Sequence, residues 1–223
     1  MLLNTVQQQF ETIYQLSPYL SIEDFLINQE ALEKIKGEKN HHLTTLNLKG
    51  LMLLLPEEDE LSLAIYLNHQ VMNNLCKYSP SQGLHEKNIH DFCIMAEEVS
   101  HFLYITWKAQ HSIQITHLEL ELQAEVDKFI ICHFYCLNGE NRFNRLPLKE
   151  LLFETFSLEK NLSKESKNRY DTASKLAHHY CHFLENHFIK KDHLRQMMGE
   201  IRRFYRLSQT DKISHINHKV FCH

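Results

Sequence analysis

Residues 96–128 (AEEVSHFLYITWKAQHSIQITHLELELQAEVDK) hold the densest set of side chains that could do chemistry in this chain. Glu97, Glu98 and His101 fall on one expected helix, and Glu121 and Glu125 on the next. Glu98 and His101 are three apart and Glu121 and Glu125 four apart, so each pair shares a helix face. Wound as a helix, the second segment sets Glu125 among Leu118, Leu122 and Phe129. A carboxylate in an apolar stripe is costly unless a cation, a hydrogen bond or a proton satisfies it. Glu125 is therefore expected to have a partner, either a metal shared with Glu98 and His101 or an arginine of the last helix. Carboxylate and imidazole together suit Zn²⁺, Mn²⁺ or Fe²⁺, which makes Glu98, His101, Glu121 and Glu125 the candidate ligands of a divalent metal cofactor.

Glu98-x-x-His101 resembles the Glu-x-x-His pair of ferritin-like di-iron carboxylate bundles, where both side chains approach metal from one helix. That resemblance covers four residues. The bundles use the pair twice, whereas the second match here, Glu38-x-x-His41, falls in an expected loop beside Gly37. A mononuclear site is what remains of it.

Three further constellations carry less. His178, His182 and Glu185 share a helix face, but His179 stands where a zinc-protease signature needs Glu. His215, His218, Cys222 and His223 lie in a terminal tail. Arg195, Arg202 and Arg206 align on the last expected helix, with Phe204 and Tyr205 beside them. Such a row can clamp phosphate or carboxylate by bidentate hydrogen bonds, so these arginines are the candidate anion-binding residues. Pairing with Glu121 and Glu125 is the internal alternative. The sequence contains no Gly-x-Ser-x-Gly, no phosphate-binding loop and no dinucleotide-binding glycine fingerprint.

Composition frames these candidates. With 223 residues, 43% hydrophobic, the chain fits one domain spanning 1–223 with a real core. Only five Gly and four Pro favour helices over a turn-rich β architecture. A net charge of −4 disfavours a nucleic-acid-coating protein. The N-terminus lacks the pattern of a signal peptide, and no apolar run is long enough for a membrane span. A soluble, cytoplasmic protein is expected, with its six cysteines reduced, since no CxxC pairs them. Seventeen histidines form the compositional excess.

The elements that must position the candidates follow from periodicity. N-terminal helices are expected over 1–42, with Ser21 as a cap and Gly37 as a stop. A hairpin follows over about 43–67, because Leu61, Leu63, Ile65 and Leu67 alternate with Ser62, Ala64, Tyr66 and Asn68. A helix over 61–75 is its rival. The helical core runs over about 68–207. Its helices cover 86–110, 116–137, a short segment after Pro147, 164–188, and a last one capped by Asp192. The tail 208–223 is expected to be irregular. The architecture is thus α+β and predominantly α-helical, a helical bundle with one small antiparallel β-hairpin.

Two function classes fit. One is a non-catalytic interaction or structural protein with an internal Glu/His/Arg network, whose partner is another protein or an anionic ligand. The other is a metal-dependent enzyme using Glu98, His101, Glu121 and Glu125 on an anionic substrate.

Overall fold

A computed structural model describes residues 2–17, 20–38, 49–56, 61–138, 147–154 and 164–221. It is predominantly helical with a small mixed sheet, the α+β class that the sequence predicts. The chain opens with helix α1 (Leu2–Tyr14), which buries Leu3, Val6, Phe10 and Ile13 on one face. A 3-10 turn (Ile22–Phe25), strand β1 (Leu26–Ile27) and helix α2 (Gln29–Glu38) then replace the continuous helix expected from Ser21. Gly37 lies inside α2 rather than ending it.

The expected hairpin is present as β2 (Gly50–Pro56) and β3 (Leu61–Leu67), antiparallel with Gly50 opposite Leu67. Its turn, 57–60, lies outside the described residues. Residues 61–75 settle as strand followed by helix, since α3 (His69–Lys77) starts at an Asn68 cap whose side chain accepts from the Gln70 amide. The sheet has a third strand that the sequence did not reveal. Leu26 and Ile27 of β1 pair in parallel with Ile65 and Tyr66 of β3, giving the order β1-β3-β2.

Two long helices form the centre, α4 (Ile89–Gln110) and α5 (His117–Asn138). Phe92, Met95, Val99 and Leu103 face the core of α4 as their spacing predicts, but Ala96, Phe102 and Ile105 are buried as well. A helix covered on several faces reads as core all round, and here the covering comes from several elements. β2, α1 and α3 pack on α4, while α5 packs on both α4 and α6 (Lys164–Leu184).

A π-helical turn (Glu185–Ile189) continues α6, and α7 (Leu194–Arg206) follows. Asp192 is not the cap. It sits in the turn at φ 55°, and His193 precedes α7 without a side-chain cap bond. The segment after Pro147 is a π-helical turn over Glu150–Glu154. The C-terminal tail is ordered as helix α8 (Gln209–Phe221), packed on α6. Ser208 starts it, its hydroxyl accepting from the Asp211 amide, and Lys212 and Ile216 are buried completely. No helix among the described residues is long and apolar enough to cross a membrane.

Candidate functional site

The α4–α5 contact brings together the acidic and histidine residues of 96–128. One turn of α4 supplies Glu97, Glu98 and His101, and α5 answers with Glu121, Glu125 and Lys128. Glu98, His101 and Glu121 are only 6%, 7% and 6% exposed, so water does little to satisfy them. The side chains of Glu97 (26%) and Glu125 (15%) form the outer rim.

His101 stands at the centre of the cluster. Its Nε2 lies 3.6 Å from Glu121 Oε2, and its Nδ1 lies 4.0 Å from Glu98 Oε2. Both distances exceed hydrogen-bond length. His101 Nε2 and Glu98 Oε2 are accordingly buried polar atoms with no hydrogen-bond partner. Groups in that condition are rare in folded proteins and call for an explanation.

The charges shift to match. Burial alone would lower the His101 pKa, but the carboxylates of Glu121, Glu98 and Glu97 outweigh it and raise it to about 9. Burial raises Glu98 to about 8, against the opposing pull of His101. The shifts favour the charged form of His101 and the neutral form of Glu98.

Lys128 closes the rim. Its Nζ donates at 2.8 Å to Glu97 Oε2 and at 2.8 Å to Glu125 Oε1. Burial opposes the charge on Lys128, but Glu125 and Glu97 hold its pKa well above the ordinary value. The partner that the sequence requires for Glu125 is thus a lysine one turn along the same helix, not an arginine of the last helix. Burial and the nearby charges of Glu121 and Glu97 raise the pKa of Tyr170 on α6, so a third helix faces the site.

Gly50 forms the wall on the sheet side. A Cβ there would lie 2.8 Å from Glu98 Oε1 and 2.9 Å from Ile94 Cγ2, closer than side chains tolerate. Only glycine lets β2 approach α4 at the carboxyl group of Glu98.

Glu97, His101 and Glu121 each offer one ligand atom within 4.8 Å of the others. Tetrahedral ligands at about 2.1 Å from zinc stand about 3.4 Å apart, so these side chains would move inward to close on an ion. Of the four ligands predicted from sequence, His101 and Glu121 lie in this group. Glu98 is on the far, Nδ1 side of the imidazole, and Glu125 is on Lys128. Glu97 takes the third place. Its nearness to Glu121 depends on how α4 and α5 dock, which spacing along one helix does not reveal.

A second polar network on the same two helices provides a contrast. Asp127 accepts from Ser100 Oγ at 2.6 Å, from Gln123 Nε2 at 2.7 Å and from the Tyr14 hydroxyl. Burial raises its pKa to about 6 despite these three donors. Lys212 of α8 donates to Gln123 Oε1 at 2.5 Å and to the Phe204 carbonyl at 2.8 Å. Glu119 accepts from Lys108 and Tyr104, each at 2.6 Å. Here each carboxylate has its donors, unlike Glu98.

The remaining candidates lie elsewhere. Arg202 Nε donates to the Ile13 carbonyl at 2.7 Å, and Arg206 Nη2 donates to that of Tyr14 at 2.9 Å. Arg195 is exposed. In the His178, His182, Glu185 set, Lys149 Nζ sits 2.7 Å from Glu185 and 3.0 Å from His182, which places a cation among them. His41, Cys222 and His223 lie outside the described residues.

No protein-family model, no curated protein and no solved structure matches the chain.

Proposed function

We propose that this protein is a divalent-metal protein, with the ion held by Glu97, Glu121 and Nε2 of His101 between α4 and α5. The observation that carries this reading is that two buried atoms, His101 Nε2 and Glu98 Oε2, have ionic neighbours at 3.6 and 4.0 Å but no hydrogen bond, beside two further carboxylates. A metal at Nε2 removes the need for a proton there. It leaves Nδ1–H to face a carboxyl oxygen of Glu98, the kind of outer partner that fixes the ring orientation of a metal-bound histidine. The Asp127 network on the same helices differs, because its carboxylate accepts hydrogen bonds from Ser100, Gln123 and Tyr14.

Oxygen-rich donors with one imidazole suit Zn²⁺, Mn²⁺ or Fe²⁺. Three protein ligands leave coordination positions open, as catalytic rather than closed structural sites do. Such an ion would act as a Lewis acid on an oxygen-bearing substrate or lower the pKa of a bound water. A metal-dependent enzyme acting on an oxygen-bearing substrate is accordingly the form of the proposal. Arg202 and Arg206 are not assigned to that substrate, since both already serve α1 carbonyls.

A second reading, the internal polar network of a non-catalytic protein, is favoured by Lys128, which already neutralises part of the rim. Metal analysis of the untagged full chain, loaded with Mn²⁺ or Zn²⁺ and dialysed, separates the two. The metal reading predicts about one ion per chain and loss of that ion in His101→Ala. Wild-type protein that retains no ion supports the network reading instead.

A further inference from the structure

We infer that Lys128 stands in for a second metal ion, so that its ammonium group is what keeps this site mononuclear. The inference rests on the metal reading above and specifies how many ions the site takes.

Glu97 and Glu125 come from different helices, and their carboxylates converge on one point, the Nζ of Lys128, at 2.8 Å from each. On the other side, Glu97 also offers an oxygen to the group formed with His101 and Glu121. Glu97 thus lies between two cation positions. One is framed by Glu97, His101 and Glu121. The other is framed by Glu97 and Glu125 and is filled by an ammonium tethered to the backbone.

A carboxylate shared in this way is the element that joins two ions in a dinuclear site. The rim is built for positive charge at both positions, and the chain itself supplies one of them. Lys128 is buried, with its side chain 8% exposed, so its charge is balanced by these carboxylates rather than by water. Removing the ammonium leaves two converging carboxylates with nothing between them, a vacancy that a divalent cation fits and a neutral side chain does not. The same geometry assigns Glu125 to the ammonium and not to the first ion.

The test counts ions. Full-length protein is stripped of metal, equilibrated with Mn²⁺ and dialysed, with bound Mn²⁺ and folding followed together by elemental analysis and circular dichroism. Wild type and Lys128→Arg are expected to hold one ion per chain and Lys128→Gln two. The Mn²⁺ resonance of Lys128→Gln should be broadened by coupling through the shared carboxylate. The double variant Lys128→Gln/Glu125→Gln should return to one ion, while Glu125→Gln alone should keep the first ion.

If Lys128→Gln folds poorly without metal, Mn²⁺ is expected to restore it with two ions bound. One ion or none on Lys128→Gln, or failure to fold even with Mn²⁺, overturns the inference. Wild type with one ion beside such a result leaves the metal reading standing. Wild type with no ion overturns that reading first, and this one with it.

Discussion

Arg202 on α7 donates from Nε to the carbonyl oxygen of Ile13 on α1 at 2.7 Å, and that bond helps to close the C-terminus of α1. The last carbonyls of a helix have no partners within it. Gln15 takes a left-handed conformation at φ 53°, so the Leu16 amide can reach back to Glu11. Arg202 and Arg206 serve the carbonyls of Thr12, Ile13 and Tyr14. α1 has no basic residue in its own last turn, and two guanidinium groups from α7 supply the charge that its dipole favours. Replacing Arg202 with Gln is expected to lower stability by about 1–3 kcal/mol, the range for losing a charged hydrogen bond. It should leave Mn²⁺ binding unchanged. Urea denaturation checks the first part, and an unshifted midpoint would contradict it.

Gly50 is expected to be as sensitive as a core residue although it carries no side chain. In Gly50→Ala the new methyl meets Glu98 Oε1 at 2.8 Å and Ile94 Cγ2 at 2.9 Å, so β2 or Glu98 must move. Overpacking of this kind costs about 1–3 kcal/mol. Denaturation of the metal-free protein reads that cost, and Mn²⁺ titration reads the displacement of Glu98 as weaker binding. Wild-type behaviour in both would mean that Gly50 does not form the wall of the site.

Much of this arrangement was legible in the sequence, and the reasons are local. The face shared by Glu98 and His101 follows from spacing on one helix. So does the hairpin from the alternation over Leu61–Leu67, although Ala64, Ile65, Tyr66 and Leu67 of β3 are all buried. Contacts between distant segments were not legible. Lys128 meets Glu97 across 31 positions and Arg202 meets Ile13 across 189, distances over which no periodicity operates. β1 is two residues long, too short to carry a pattern, and exists because β3 offers it an edge. α8 has no clear pattern in the sequence because one of the residues that anchors it is Lys212, a type normally exposed, here enclosed over the Phe204 ring at 4.2 Å.

The pH dependence of the metal-free protein has a defined sign. Burial raises Glu98 from 4.5 to about 8 and Asp127 from 3.8 to about 6. Between about pH 5 and 6 the folded chain therefore keeps protons that the unfolded chain has released. These two groups lower stability as pH rises through that window, by up to about 1.4 kcal/mol per pH unit each, while His90 and His182, whose pKa burial lowers, offset part of the loss. Above pH 7 two groups oppose each other. His101, raised from 6.5 to about 9, goes on losing its contribution, while burial lowers Lys212 from 10.5 to about 7, which adds stability as pH rises. Urea midpoints across pH 5–6 provide the check, and a steady climb over that range would contradict these shifts.

Metal binding should expel protons. An ion at Nε2 must displace the imidazolium proton of His101, held to about 9 by Glu121, Glu98 and Glu97 against the effect of burial. At pH 7 about one proton per ion is expected to leave from His101, and apparent affinity should rise about tenfold per pH unit between pH 7 and 8.5. Calorimetry of Mn²⁺ binding in buffers of different ionisation enthalpy counts the protons. Binding without proton release would place the ion away from His101.

X-ray absorption of the Zn²⁺-loaded full chain tests the central claim most directly, because it reads the atoms around the ion. Nitrogen and oxygen neighbours are expected at about 2.0–2.2 Å, with the outer-shell scattering of one imidazole, and no sulfur. In His101→Ala the imidazole signature should disappear and bound zinc should fall to background. A zinc shell made of sulfur, an imidazole signal that survives His101→Ala, or a wild-type chain that retains no zinc would contradict a metal centre between α4 and α5.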